Sequence, residues 1–321
     1  MARYPFTTEA NKFMKEIEPY IAKSTYKDKK RKLKLIAGIM DNLLNNGKIK
    51  TSNPRKVTVN DLIAYVTYRR QKGISESTIS KDLSLLNQFF IAVGNHCVEE
   101  FRVRAGNFKP HAYTGRKDEI PDETVHKVYD LARATDNWSL MEGLMLVVMT
   151  VSTGIRPQES RIFDIGGIHL MGDRSYIYIE HVKGEGKYGK PRLAPIMDNV
   201  EDIFEKYLDM RQQRLDSLGM ESEAMFPNFG EPDKKYVSQQ AFGNIKRRVE
   251  IKLGVTFELR AGRRSFGQRA LDDGQALENV SVAMGHASTR TTELYYARVR
   301  TDKAINKMFE HKNTGGAKGK V

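Results

Sequence analysis

The sequence "LMEGLMLVVMTVSTGIRPQES", residues 140–160, determines the fold that we expect around it. Residues 140–151 are nearly all apolar, so a helix formed here presents apolar side chains on all of its faces. Such a helix is stable when other elements surround it, and the pattern therefore predicts a buried central helix. Gly154 marks the end of this helix, and the turn that follows can direct Arg156 into a cleft.

Two short segments downstream of this helix are candidate β-strands. Residues 176–179, YIYI, combine β-branched and aromatic side chains, and residues 192–196, RLAPI, form the second candidate. Gly184 and Gly186 lie between the two segments and favour a turn. We therefore predict a β-hairpin with lysines at its tip. Helical patterns flank this hairpin at about residues 121–135, 199–217, 238–252 and 262–272.

The first part of the chain predicts a separate set of helices. Apolar residues recur there at helical spacing, and capping residues and glycines bound the segments. The four predicted helices lie within residues 11–24, 25–47, 58–73 and 75–94. Residues 104–119 then break the pattern with Gly, Pro, Asn and mixed charge, which is typical of a linker.

We therefore predict a mainly α-helical fold with a small β-sheet or hairpin, arranged in two domains. The predicted order is a helical domain over residues 1–104, a linker over residues 105–119, a mixed α/β domain over residues 120–300 and a tail over residues 301–321. We expect the Gly- and Lys-rich end of the tail to be disordered, and residues 304–311, AINKMFEH, to form an amphipathic helix.

The charge of the chain points to a polyanionic partner. The sequence has 53 Lys and Arg against 40 Asp and Glu, a formal net charge of +13, and nucleic acid is the simplest partner for such a balance. A charge run is more often a solvated helix face, but two basic clusters on predicted helices favour phosphate contacts. The clusters are Lys27, Lys29, Lys30, Arg31, Lys32 and Lys34, and then Arg69, Arg70 and Lys72.

Composition also indicates the cellular compartment and whether the protein needs a cofactor. Cys97 is the only cysteine, so the chain has no intramolecular disulfide, and a reducing cytoplasm fits. No cluster of His and Cys suggests zinc, and the sequence calls for no metal or other cofactor. The longest apolar run is shorter than the roughly 20 residues that span a bilayer, so we expect no membrane partner and a cytoplasmic, nucleoid-associated protein.

Four segments of the second domain carry candidate functional residues. In chain order the candidates are Arg156 and Glu159 in TGIRPQES, Lys183 and Lys187 on the hairpin, Arg260, Arg263 and Arg264 in LRAGRRSF, and His286, Tyr295 and Tyr296 in MGHASTRTTELYY. Each residue alone has a structural explanation, such as an ion pair, a solvated lysine or a packed tyrosine. Together they match the needs of phosphodiester chemistry.

The chemistry that such a set supports is transfer of a phosphoryl group to tyrosine. Two guanidiniums can clamp the non-bridging oxygens of a phosphodiester and stabilise the charge of its transition state. A lysine on the hairpin can protonate the leaving oxygen. A tyrosine phenol becomes a usable nucleophile in such an electropositive site, and a phosphotyrosine link conserves the bond energy without metal or ATP.

In this order, the motifs resemble the catalytic domain of the tyrosine recombinases, also called phage-type integrases. The first domain, with GISESTISKDLSLLNQFF at residues 73–90, is similar to the helical SAM-like core-binding domain of Xer-like and integrase proteins. The resemblance covers about residues 8–300 and implies the two-domain architecture of that family. The doubled tyrosine and the LRAGRRSF segment are similar to archaeal integrase-like members.

The resemblance implies a role for each matched residue. Arg156 matches the first catalytic arginine and Glu159 the acidic residue that supports it. Arg263 matches the second arginine, and His286 matches the histidine of the Gly-His motif. Tyr295 stands at the position of the nucleophile.

Two positions leave alternatives open. The family usually has His, or sometimes Lys, where this chain has Arg260, and arginine is a poor general base. The hairpin lysine is Lys183 when counted from the first strand and Lys187 when counted back from the second, and we favour Lys183. Tyr296 is the alternative nucleophile, although a packing role fits it better.

The resemblance further implies a complete reaction and its partners. The tyrosine forms a 3′-phosphotyrosyl link to double-stranded DNA and frees a 5′-hydroxyl, and four protomers act on two sites within a C-shaped clamp. The C-terminal segments are exchanged between neighbours, and accessory proteins are a further option. The alternatives are a DNA-binding regulator that has lost the chemistry, which Arg260 favours, and a type IB topoisomerase. An RNA-binding protein would need a signature that this sequence lacks.

Overall fold

The computed structural model describes residues 5–111, 117–182, 186, 189–286 and 288–295. Of these, Leu294 and Tyr295 are described by their backbone alone. The chain divides into two compact units, Met1–Gly115 and Arg116–Val321. The fold is mainly α-helical with one small antiparallel sheet, as predicted. No helix in these described ranges is long and apolar enough to cross a membrane.

The described part of the first unit contains five α-helices, one more than the sequence predicts. They are α1 Pro5–Ile17, α2 Lys23–Asn45, α3 Val59–Gln71, α4 Glu76–Ala92 and α5 Cys97–Arg104. Helix α5 is the unpredicted one, and its eight residues include a buried Val98 and Phe101. The predicted cap of α3 is present, because Thr58 and Asp61 exchange hydrogen bonds in a capping box.

All five helices contribute to the core of the first unit, and aromatic rings pack within it where α1 meets α4. Phe6 and Phe13 of α1 pack on Phe89 of α4, with ring centroids 5.3 and 5.4 Å apart. Helix α2 buries an apolar stripe that includes Leu33 and Met40, and its basic N-terminal half lies outside this core. The helix therefore separates a core-forming face from a charged surface.

The second unit contains the sheet and the remaining helices. Among the described residues, three α-helices precede the sheet, α6 Asp122–Ala134, α7 Trp138–Thr153 and α8 Pro157–Arg161. The strands of the sheet are β1 Ile168–His169, β2 Tyr176–Ile179 and β3 Arg192–Pro195. After the sheet the helices are α9 Glu201–Leu218, α10 Gln239–Leu253, α11 Leu259–Asp272, α12 Leu277–Met284 and α13 Thr289–Tyr295. Helices α8, α12 and α13 and strand β1 were not predicted.

Helix α7 is the buried central helix that its sequence predicts. Every residue from Met141 to Thr153 is buried, and α6, α9, α10 and α11 pack around it. Helix α11 approaches α7 closely at Gly262, where a Cβ atom would lie 2.5 Å from Thr150 Oγ1. This contact leaves no room for a larger residue, and it brings the next residue of α11 to the C-terminal end of α7.

The sheet has the order β1–β2–β3, and both strand pairs are antiparallel. The predicted hairpin is confirmed as β2 and β3, with Ile177 opposite Ala194 and Ile179 opposite Arg192. Side chains of a strand alternate between its two faces, so Arg192 shares a face with the buried Ala194. The sheet thus directs an arginine inward at the start of β3.

Candidate active site

Arg156 lies directly after the central helix. Helix α7 ends at Gly154 in the left-handed conformation, with φ +65°, and Pro157 begins α8. Arg156 donates from its backbone N–H to Glu159 Oε2 at 3.0 Å and from Nη1 to Oε1 at 2.8 Å. Its Nη2 donates to the carbonyl of Gly285 at 3.0 Å, and 27% of its side chain stays exposed. The spacing of three residues between arginine and glutamate allows this local pairing.

Arg192 also contacts Glu159, and this contact was not predicted. Its Nη2 and Nη1 donate to the two carboxylate oxygens at 2.7 and 3.3 Å, and its Nε donates to the carbonyl of Ala283 at 3.3 Å. The side chain is only 9% exposed. Strand alternation placed a charged residue on the inward face of β3, and that pattern could have indicated the contact.

Glu159 is a buried anion shared by two arginines. Its side chain is 2% exposed, and burial alone would raise its pKa. The hydrogen bond and charge of Arg192, together with the charge of Arg156, outweigh burial and lower the pKa to about 2. The carboxylate is therefore ionised at neutral pH and fixes both guanidiniums.

Arg263 extends from α11 to the same place. It follows Gly262, and its side chain reaches the carbonyl of Gly154 through Nη1 and that of Met284 through Nη2 at 2.5 Å. Nη2 also lies 2.9 Å from His286 Nε2. The residue is 2% exposed, so this guanidinium is part of the interior wall of the site.

His286 follows a left-handed turn at the end of α12. Gly285 has φ +63°, and a Cβ atom there would lie 2.6 Å from Arg192 Cδ, so the turn requires glycine. Burial, and then the nearby charges of Arg263 and Arg156, lower the pKa of His286 to about 3. The ring is therefore neutral at physiological pH. Its Nδ1 lies 2.7 Å from Thr292 Oγ1, another contact that was not predicted.

The other candidates of the second unit either have no described contact with these residues or lie outside the described part of the chain. Arg260 is exposed on α11, one turn before the second arginine, and no hydrogen bond joins it to another described residue. Arg264 has a side chain only 12% exposed, and its Nε donates to the carbonyl of Asp118 at 2.8 Å. Tyr295 is the last residue of α13. Lys183, Lys187 and Tyr296, like the predicted amphipathic segment at residues 304–311 and the rest of the tail, lie outside the described residues.

The described residues of this site carry mainly positive charge. Within the described ranges no three His, Cys, Asp or Glu side chains gather as a metal site would require. Three arginines instead meet around the turn that precedes α13, and one carboxylate balances two of them. Guanidiniums in a sheltered site hold phosphate oxygens strongly, because they donate in a planar fork and stay charged.

The basic residues of the first unit divide into exposed and internal ones. Of the first predicted cluster, Lys27, Lys30, Arg31 and Lys34 are exposed on α2, and Lys29 and Lys32 are partly exposed. The assignment of Arg69 to a DNA-binding surface is wrong for a structural reason. Arg69 is 7% exposed and pairs with the buried Asp82 at 2.8 Å, because it continues the inward face of α3 formed by Leu62 and Tyr65.

Arg70 is held by local contacts. Its Nε and Nη2 donate to the two carboxylate oxygens of Glu76 at 2.7 and 2.9 Å. It also donates to the carbonyls of Asn107 and Lys109 at 3.3 and 3.2 Å. These bonds tie the end of α3 to α4 and to the segment after α5, so Arg70 has a structural role in the unit.

Comparison with known proteins places this site in a family. The model of the phage integrase family matches residues 122–303, which is more than half of the chain. The tyrosine recombinase XerD of Oceanobacillus iheyensis is 24% identical over 253 residues, 77% of this chain and 80% of XerD. The tyrosine recombinase XerC of Herpetosiphon aurantiacus is 24% identical over 263 residues, 79% of this chain and 80% of XerC.

Solved structures share the fold. The Tn1549 transposon integrase, in complex with circular intermediate DNA, aligns with a TM-score of 0.64 at 17% identity, over 94% of this chain and 98% of that one. A lambda integrase dimer bound to a COC′ core site aligns with a TM-score of 0.63 at 15% identity, over 91% and 96% of the two chains. The extent of the family match is decisive, and the chain belongs to the phage integrase family of tyrosine recombinases.

Proposed function

We propose that this protein is a site-specific recombinase that cuts and rejoins double-stranded DNA through a 3′-phosphotyrosyl intermediate. The observation that carries the proposal is the meeting of Arg156, Arg263 and His286, from three separate segments, beside the turn that leads into α13. In the proposed reaction Tyr295 loses its phenol proton to solvent water, the phenolate oxygen attacks phosphorus, and the bond to the 5′ oxygen breaks. The 5′-hydroxyl of the exchanged strand then attacks the phosphotyrosine and restores the phenol.

The arginines and the glutamate supply charge and orientation in this proposal. Arg156 keeps part of its guanidinium exposed beside Gly285, so it is suited to bind a non-bridging phosphate oxygen. Arg263 lies behind it in the wall of the site and adds a second positive charge. Glu159 and Arg192 act as positioning residues, because their paired bonds hold the first arginine and the start of β3 together.

One residue of the hairpin transfers a proton in this proposal, and one residue of α11 binds phosphate. Lys183, or alternatively Lys187, donates the proton that the leaving 5′ oxygen requires. Arg260 is exposed on α11, and because arginine is a poor general base, in this proposal it binds phosphate and does not remove the phenol proton. Tyr295 is the nucleophile, with Tyr296 as the alternative.

In this proposal the exposed basic residues of α2 supply further phosphate contacts. Lys27, Lys30 and Arg31 stand on the surface of this helix, and such contacts give affinity that falls steeply with salt. We infer further that the protein associates into dimers or tetramers on DNA. The lambda integrase dimer on its core site supports this inference by analogy of fold.

The test is covalent trapping on nicked DNA. The full chain would be incubated in EDTA with pooled nicked duplexes from the replicon that encodes it, labelled at the 3′ or the 5′ end of the cut strand. The proposal predicts a denaturation-resistant adduct on the fragment that ends in the 3′ phosphate, with a free 5′-hydroxyl on the other fragment. Tight binding without an adduct on any duplex would support the DNA-binding regulator instead, and closed-circle relaxation without strand exchange would support the topoisomerase.

A further inference from the structure

The hydrogen bonds of His286 determine which of its nitrogens carries the proton. The guanidinium of Arg263 can only donate, so the contact of 2.9 Å between its Nη2 and His286 Nε2 requires Nε2 to accept. The low pKa of His286, about 3, keeps the ring neutral, with a single proton. That proton is therefore on Nδ1, and it is donated to Thr292 Oγ1 at 2.7 Å.

Thr292 links this ring to the helix that carries the candidate nucleophile. It is fully buried on α13, and its hydroxyl oxygen lies within hydrogen-bonding distance of a residue in the preceding turn. Tyr295 follows three residues later, almost one helical turn, on the same side of the helix. A rotation or shift of α13 would therefore break the hydrogen bond between Thr292 and His286 and move Tyr295 at the same time.

A buried threonine whose hydroxyl makes no hydrogen bond costs free energy, and valine would fill the same space better. The short contact to Nδ1 distinguishes Thr292 from such a packing residue. Its neighbour Thr291 is partly exposed on the same helix; its backbone N–H donates to the carbonyl of Ser288 at 3.0 Å, and its hydroxyl has no hydrogen bond to another residue that the structure describes. The two adjacent threonines thus differ in whether the hydroxyl contacts the site.

We propose that Thr292 is a positioning residue of the cleavage reaction, whose hydroxyl oxygen accepts a hydrogen bond from Nδ1–H of His286 and thereby fixes the ring and α13 in one arrangement. This inference rests on the proposed recombinase function. In this arrangement His286 acts on Arg263 as an acceptor that orients the guanidinium. Thr292 contacts neither DNA phosphate nor the reacting atoms in this proposal, so its loss should slow cleavage and leave DNA affinity unchanged.

The kinetic test uses three variants of the full chain, Thr292→Val, Thr292→Ser and Thr291→Val. We expect Thr292→Val to lower the single-turnover rate of adduct formation roughly 10- to 100-fold with an unchanged Kd for the duplex. Thr292→Ser restores the hydroxyl and should recover most of the rate, and Thr291→Val should cleave like the wild type. A Thr292→Val enzyme that cleaves at the wild-type rate, or a Thr292→Ser enzyme as slow as Thr292→Val, would overturn the proposal.

A spectroscopic test needs neither DNA nor activity. Long-range proton–nitrogen NMR spectra of the ¹⁵N-labelled full chain report the tautomer of each of the seven histidines, and His286→Asn assigns the signal of interest. We expect a neutral Nδ1–H tautomer in the wild type and in Thr292→Ser. An Nε2–H tautomer in the wild type would overturn the inference even if Thr292→Val does not fold. A wild type that forms no adduct but shows the Nδ1–H tautomer would count against the proposed function alone.

Discussion

The clearest energetic consequence of the site concerns Glu159, the carboxylate shared by Arg156 and Arg192. Its pKa falls from an ordinary value of 4.5 to about 2 in the folded protein. At 1.36 kcal/mol for each unit, this difference corresponds to about 3 kcal/mol of folding stability at neutral pH. Glu159→Gln removes the charge and leaves two sheltered guanidiniums without their anion, so we expect it to cost roughly this amount.

The pH dependence follows from the sign of the shift. A carboxyl whose pKa is lowered by folding contributes its full stability above the pKa of the unfolded chain, 4.5. That contribution is lost as the pH falls from 4.5 through the folded pKa of about 2. The difference between the wild type and Glu159→Gln should therefore be constant from pH 7 to pH 5 and shrink below pH 4.5.

Differential scanning calorimetry of the full chain measures this difference. For a unit of roughly 200 residues, about 3 kcal/mol corresponds to a Tm lower by roughly 6–12 °C in the transition of the second unit. The matched control is Glu205→Gln, an exposed position on α9, which should leave Tm within about 1 °C of the wild type. Two results would refute the reasoning. One is a Tm decrease for Glu159→Gln no larger than that of the control. The other is a Tm difference between the wild type and Glu159→Gln that stays the same below pH 4.5.

Three further predictions concern the surroundings of this carboxylate and the core behind it. Arg192→Lys keeps a charge but loses the two-pronged bond, so adduct formation should slow about 10-fold or more at unchanged DNA affinity, and an unchanged rate would contradict this. Gly285→Ala should destabilise the fold by more than the roughly 1–2 kcal/mol expected for Gly254→Ala in urea denaturation. Both glycines have a positive φ, but only at Gly285 would the new Cβ meet a neighbour, and equal costs would refute that contact. Burial raises the pKa of Glu142 to about 7 despite a bond to Arg248, so the wild type should lose stability relative to Glu142→Gln as the pH rises from 4.5 to 7. A pH-independent difference in urea denaturation would contradict that.

The sequence predicts the parts of the site that local patterns determine. A helix that is apolar on nearly all faces has to be central, and α7 is central. An arginine three residues before a glutamate, with Pro157 between them, can pair with it, and Arg156 pairs with Glu159. The β2–β3 hairpin follows from strand composition on either side of glycines. In each case the signal lies within one segment, where spacing along the chain fixes spacing in the structure.

The contacts that were not predicted depend on how separate elements pack or on which way a helix face turns. Arg192 reaches Glu159 because β3 packs beside α12 and α7, and strand alternation within β3 indicates only that this arginine points inward, not which carboxylate it meets. Thr292 meets His286 because the Gly285 turn folds α13 back towards it. Arg69 was misassigned because its charge was weighed as part of a cluster, although its helical phase places it with Tyr65 on the inward face.

The most direct test of the central claim identifies the nucleophile. Wild type, Tyr295→Phe and Tyr296→Phe would be incubated with the same nicked duplex in EDTA, and the adducts resolved on a denaturing gel after equal DNA binding has been verified. We predict that wild type and Tyr296→Phe form the 3′-linked adduct and that Tyr295→Phe forms none. An adduct that persists in Tyr295→Phe and disappears in Tyr296→Phe would contradict the assignment of the nucleophile. An adduct that forms in neither the wild type nor any variant, on duplexes that all three bind, would contradict the account of this chain as a recombinase.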